Sequence, residues 1–185
     1  MDISFEFFPP SSKQAETLLW ESIKLLEPLK PNFVSVTYGA GGTTRERTHN
    51  CVKKIIEETN LEPAAHLTCV NSTKDEIKEI TDSYKKIGVK HIVALRGDMP
   101  NFVDFEPHPR GYESSIDLVK NLSQQDFNVT VSAYPEKHPN ASSFDEVKID
   151  TWKSERILAR APKNDALPML ARSFLSPCSR RTDLG

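Results

Sequence analysis

Short blocks of aromatic and β-branched residues alternate along the chain with longer stretches whose apolar positions recur every three or four residues. Residues 3–8 (ISFEFF) read as a strand ended by Pro9 and Pro10. Ser11 and Ser12 open a helix carrying Leu18, Leu19, Ile23, Leu25, Leu26 and Leu29, closed by Pro28 and Pro31. Residues 32–38 (NFVSVTY) form a second strand, followed by a glycine-rich loop at 39–42. Thr43 or Thr44 is placed to cap the next helix, with Glu46 in its first turn and Val52, Ile55 and Ile56 on its apolar face. A third strand at 63–70 (PAAHLTCV) leads to a helix capped by Ser72 or Thr73, with Ile77, Ile80, Tyr84 and Ile87 on one side and Gly88 past its end. A fourth strand at 91–95 (HIVAL) runs into Arg96-Gly97-Asp98 and a proline-rich loop at 99–111. Ser114 or Ser115 caps a helix bearing Ile116, Leu118, Val119 and Leu122. A fifth strand at 127–134 (FNVTVSAY) follows, and then a helix from Ser142 or Ser143 with Phe144, Val147 and Trp152 inward.

Five strand–helix units in this rhythm imply parallel strands joined by right-handed crossovers. A doubly wound sheet and a (β/α)8 barrel both satisfy that pattern. A doubly wound dinucleotide fold wants GxGxxG after its first strand, and FFPPSS holds no glycine. The expectation is therefore an α/β fold of the (β/α)8 TIM-barrel type, incomplete, with about five units present over residues 1–153.

From residue 154 the rhythm breaks. Residues 154–185 contain Pro162, Pro168 and Pro177, show only short apolar pieces, and carry six basic and three acidic residues. The net charge of the whole chain is -2, so the segment's +3 stands against -5 for the rest. It reads as an unrelated, poorly ordered tail with no strand of the earlier type. Neither charge balance nor any apolar run draws the chain to nucleic acid or into a bilayer. The N-terminus lacks the basic and apolar regions of a signal peptide. Cys51, Cys69 and Cys178 are odd in number and form no CxxC pair, which points to reduced thiols in the cytoplasm.

Polar and ionisable residues gather at the strand ends, where both architectures place active sites. They are Glu6, Thr37, His66, Arg96, Asp98, Tyr134 and His138. Glu6 sits among Phe5, Phe7 and Phe8, and a carboxyl desolvated by aromatic rings has a raised pKa and serves as a general acid. The alternative is that strand alternation turns it to solvent. The Gly39–Gly42 turn allows close backbone approach to an anion or ring, or is an ordinary strand-to-helix turn. His66 in an apolar strand is either a hydrogen-bonded core residue or a ligand. Arg96 and Asp98 offer a cation and an anion across Gly97, for a phosphate and a heterocycle or for each other. Nothing in the spacing of these residues suggests a metal site.

Together FEFFPP at 5–10, FVSVTYGAGG and TRERTH within 33–49, AHLTCV at 65–70, HIVALRGD at 91–98 and AYPEKHP at 133–139 resemble the methylenetetrahydrofolate reductases, in the family's order and spacing. The resemblance covers residues 3–153. It implies a (β/α)8 barrel that binds FAD at its strand ends. Hydride would pass from NADH or NADPH through the flavin to 5,10-methylenetetrahydrofolate, giving 5-methyltetrahydrofolate for methionine synthesis. It implies Glu6 as the general acid that helps open the folate ring, and Asp98 as a catalytic residue near flavin and pterin. Thr37, Tyr38, Ala40, His66, Arg96, Gly97, Asp98, Tyr134 and His138 become flavin contacts; Glu6, Thr37 and Asp98 become substrate contacts, with Thr37 also near the nicotinamide. A family-type homo-oligomer is implied as well. Ser114 and Ser115 stand where the family has a tyrosine and an alanine against the flavin. The switch of character at residue 154 is what translation in a shifted frame produces. A truncated or frameshifted, non-catalytic fragment is therefore the alternative reading, with unpaired strand edges and exposed apolar surface.

Overall fold

The computed structural model describes residues 3–38, 45–97 and 107–133, together with the backbone of 170–171. Its elements follow in strict alternation. They are β1 (Ser4–Phe7), α1 (Lys13–Leu26) with a 3-10 turn at Glu27–Leu29, β2 (Phe33–Val36), α2 (Arg45–Glu58), β3 (Pro63–Thr68), α3 (Lys74–Lys86), β4 (His91–Leu95), α4 (Ser115–Ser123) and β5 (Asn128–Ala133). A two-residue strand β6 (Leu170–Ala171) pairs in parallel with Ser132 and Ala133. Residues 154–185 are expected to hold no strand of the earlier type, and this pairing is shorter than any of β1–β5: two residues suffice to continue an open ladder whatever their side chains. The helix expected from Ser142 or Ser143 lies outside the described residues.

The sheet order is β1-β2-β3-β4-β5-β6, every pair parallel. Chain order and spatial order coincide, with no reversal of winding. That is the progression of a (β/α) barrel and not of a doubly wound sheet, whose order switches direction.

Local chemistry sets the helix starts. The Ser12 hydroxyl accepts from the Ala15 amide at the start of α1. Thr73, rather than Ser72, caps α3 in a reciprocal box: its hydroxyl accepts from the Glu76 amide while the Glu76 carboxylate accepts from the Thr73 amide. Ser114, rather than Ser115, caps α4, and its hydroxyl also donates to Asp117. Gly88 ends α3 at φ +88°, where a side chain would be strained.

Strand alternation divides the buried residues into two sets. Val34, Val36, Ala65, Leu67, Ile92, Ala94 and Val129 belong to the large core, which the helices complete with Leu19, Ile23, Val52, Ile55, Ile77, Tyr84, Leu118 and Leu122. The opposite sheet face has a small apolar cluster, Phe33, Ala64 and Val93, with Leu95 against it. On that face too, by alternation, lie Glu6, Ser35, Thr37, His66, Thr68, His91 and Thr130. The inner face is thus polar where the outer one is oily. In α1 only Leu19 and Ile23 are buried; Leu18 and Leu25, and Leu29 of the 3-10 turn, expected inside, are exposed. Leu18 and Leu25 sit about 130° round the helix from the middle of the buried pair, on the opposite side from Trp20, which carries the Lys54 ammonium of α2 over its ring.

Candidate functional site

β1 is four residues long, and only alternate side chains reach the inner face. Phe5 and Phe7 pack outward against the helix-covered core, leaving Glu6 inward. The expected nest of aromatic rings around Glu6 is therefore absent: alternation sends its neighbours to the other side of the sheet, and Phe8 is exposed. Glu6 is exposed as a residue, as alternation allows, but its carboxyl also meets a buried partner. Its side chain is 29% exposed, and its Oε2 lies 3.2 Å from Nε2 of His66, which is 2% exposed. The contact is a close approach and not a formed hydrogen bond, and among the described residues no other hydrogen-bond partner meets Nε2.

That contact spans two strands. Glu6 pairs in register with Ser35, and Ser35 with Ala64, so His66 stands two residues further toward the C-terminal end of β3. The side chains of Glu6 and His66 meet across β2, over Ser35. Ser35 is fully buried, and its hydroxyl has no hydrogen-bond partner.

Around this pair the strand ends contribute further groups. Thr37, buried, follows β2; its amide donates to the Phe7 carbonyl and its carbonyl accepts from the Thr48 hydroxyl of α2, which ties the β2 exit down on both sides. The Tyr38 hydroxyl accepts from the Arg45 guanidinium at 2.9 Å. Arg96 and Gly97 follow β4, where the Arg96 carbonyl accepts from the Val70 amide at 2.9 Å. Gly97 has φ +85°, and a Cβ there would come within 2.5 Å of Val70 Cγ1 and 2.9 Å of Thr68 Cβ. The loop leaving β4 therefore runs flush against the end of β3. Cys69 lies beside Arg96, but burial pushes its thiol up to about 11, and Cys51 is pushed up to about 11 in the same way. Both thiols stay protonated and are poor nucleophiles.

The structure thus brings Glu6, Thr37, His66, Arg96 and Gly97 to one end of the sheet. Tyr38 is near but engaged with Arg45. Ala40, Asp98, Tyr134 and His138 lie outside the described residues. Ser114 spends its hydroxyl on the α4 cap. Sequence reasoning passed over His91 and Ser35. His91 Nε2 is 2.7 Å from the Thr130 hydroxyl, its ring is 4.5 Å from that of Phe33, and burial lowers its pKa to about 4. It begins β4, at the end of the sheet opposite the site, where side chains serve stability. Alternation through His91, Val93 and Leu95 was the available signal for its inward direction.

These residue types fit a flavin. Among the described residues His66 Nε2 and Ser35 Oγ are buried polar atoms without hydrogen-bond partners, and Arg96 supplies a cation at a strand end. Among the described residues no three His, Cys, Asp or Glu side chains gather to hold a metal ion, and no helix is long and apolar enough to cross a membrane.

A family model described as methylenetetrahydrofolate reductase matches residues 1–154. The 5,10-methylenetetrahydrofolate reductase of Salmonella typhimurium is 48% identical over 144 residues, covering 77% of this chain and 47% of the relative. The Escherichia coli protein of the same name is 49% identical with the same coverage. A probable methylenetetrahydrofolate reductase (NADH) of Oryza sativa subsp. japonica is 34% identical over 142 residues, covering 75% of this chain and 24% of its own length. The chain spans about half the length of the bacterial relatives it matches. Among solved structures, a 4-hydroxy-tetrahydrodipicolinate synthase from Methylacidiphilum fumariolicum SolV superposes with a TM-score of 0.52 at 16% identity, covering 85% of this chain and 52% of that one. At that identity the likeness concerns the barrel fold alone.

Proposed function

The chain belongs to the methylenetetrahydrofolate reductase family, and from that premise we propose that it serves the FAD-dependent reduction of 5,10-methylenetetrahydrofolate to 5-methyltetrahydrofolate by NADH or NADPH. The reaction would feed methionine synthesis in the cytoplasm. The name of the rice relative favours NADH. The observation that carries the proposal is the Glu6–His66 pair at 3.2 Å on the inner face of the sheet, inside the matched region.

In this reading Glu6 is the acid. Its partly exposed carboxyl can take a proton from water and pass it from Oε2 to the folate as the five-membered ring opens. Thr37, Tyr38, Ala40, His66, Arg96, Gly97, Asp98, Tyr134 and His138 would hold the flavin, with Arg96 toward its negatively charged part. Asp98 would tune flavin and pterin, and Glu6, Thr37 and Asp98 would touch substrate. FAD, when bound, supplies the hydride relay between nicotinamide and folate. The protein's share is orientation, exclusion of water and the proton at Glu6.

The visible absorption spectrum of the purified chain tests the first half. Flavin bands near stoichiometric amount, or saturable uptake of added FAD, are expected; a protein that stays colourless with FAD in excess overturns the reading. In a reductase assay, Glu6→Gln should keep the flavin and lower kcat by roughly 10²–10⁴. Flavin bound without turnover in the unsubstituted chain would favour the second reading, a flavin-binding fragment that does not catalyse.

A further inference from the structure

We propose that His66 is the positioning residue for Glu6, its Nε2 fixing the carboxyl at the mouth of the barrel so that the two side chains hold one proton in common. The inference deepens the reading of Glu6 as the acid and rests on it for its catalytic meaning. The pairing itself rests on geometry.

Strands two apart in a sheet lie roughly 9–10 Å from each other. Side chains from β1 and β3 meet only if both lean across β2 and nothing tall stands between them. Ser35 is the residue of β2 beneath that line, and its side chain is short. Of the two partners His66 is the fixed one. It lies within β3, paired in register to Val93 of β4, and is buried to 2%. Glu6 is the movable one: its strand pairs on one side with β2 among the described residues, its side chain is 29% exposed, and it has three rotatable bonds.

A buried ring nitrogen without a hydrogen-bond partner is costly, and Glu6 Oε2 lies 3.2 Å from it. A small rotation of the flexible carboxyl would turn the 3.2 Å approach into a hydrogen bond. With the ring proton on Nε2 and Glu6 ionised, or with Nε2 bare and Glu6 protonated, one proton then lies between Nε2 and Oε2. When Glu6 turns toward a substrate the proton leaves with it, and His66 defines where the carboxyl returns. Among the described residues few other groups face the pair. From β2 these are Ser35 and Thr37, which do not titrate in this range. Arg96 follows β4, and His91 lies at the far end of that strand with its Nε2 on Thr130 and its Nδ1 3.9 Å from Glu62. β5 contributes Thr130.

The test is an NMR titration of the full chain, with histidine ring nitrogens labelled with ¹⁵N and glutamate carboxyls with ¹³C. If the pair shares a proton, His66 and Glu6 report the same apparent steps, as coupled sites do. Glu6→Gln should then abolish the step that the two residues share. Glu6→Asp, shorter by one methylene, should do the same while keeping the charge, and serves if the glutamine variant does not fold. A His66 titration that superposes in all three proteins overturns the proposal. The readout needs neither flavin nor turnover, so its failure is separable from failure of the proposed activity. In flavin-loaded protein His66→Gln should displace the pH profile of kcat.

Discussion

Gly97 is subject to two constraints at once. Its φ of +85° disfavours any L side chain, and a Cβ would press on Val70 and Thr68 at 2.5 and 2.9 Å. Gly97→Ala should cost about 2–4 kcal/mol, the sum of left-handed strain and an overpacked contact. The midpoint of urea unfolding reads this directly. A glycine between Arg96 and Asp98 was visible in the sequence, but its reason was not: the wall it touches belongs to the end of β3, some 27 residues earlier. Glu6 shows the same limit. Its position near a strand end was legible, whereas its neighbour was not, because His66 comes from a strand not even adjacent to it. Reading Phe5, Phe7 and Phe8 as its surroundings took closeness in sequence for closeness in space, which a period of two forbids.

Among the elements, strands with an apolar run were found from their composition, and their ends moved inward by a residue or two. β4 coincides with its expected span, whereas β3 stops at Thr68 and not Val70. In β3 every residue is buried, so the sequence shows no alternation that would reveal His66 and Thr68 as inner-facing. The α3 cap had two candidates one residue apart, and the box with Glu76 singles out Thr73. Thr73→Ala should cost about 1 kcal/mol and Ser72→Ala far less, as measured by thermal or urea unfolding. At the other end of the sheet, β4 and β5 are clasped by His91 and Thr130. Burial keeps that imidazole neutral down to about 4, while an unfolded chain protonates it near 6.5. Between those values the unfolded state binds the extra proton. This contribution is fully present above pH 6.5 and is lost as pH falls toward 4, by at most about 3 kcal/mol. Urea unfolding at pH 7 and pH 4.5 should show the native sequence losing more stability than His91→Gln.

For the molecule as a whole, the barrel class followed from rhythm and from a missing glycine motif, and the unidirectional sheet agrees. What rhythm did not convey is the flank of α1. Leu18, Leu25 and Leu29 were counted as core because their spacing is helical, yet they are 56%, 77% and 60% exposed. Spacing gives the width of an apolar stripe but not how much of it a neighbour covers, and α1 is covered on its Trp20 side by α2. Two exposed leucines on one flank of α1, with Leu29 in the turn after it, favour self-association. Replacing Leu18 and Leu25 together by lysine should leave the unfolding free energy within about 1 kcal/mol. It should also lower the apparent mass at high concentration in light scattering.

The coincidence of chain order and sheet order bears on how the protein is made. Each of the first five strands is paired by the strand that leaves the ribosome next. No early strand has to wait for a distant one before its hydrogen bonds are met. A growing chain can therefore consolidate unit by unit while synthesis continues, with the outer edge of β1 and the most recent strand edge open. The Glu6–His66 encounter would be established as soon as the third strand has emerged, before the arginine of the fourth has docked.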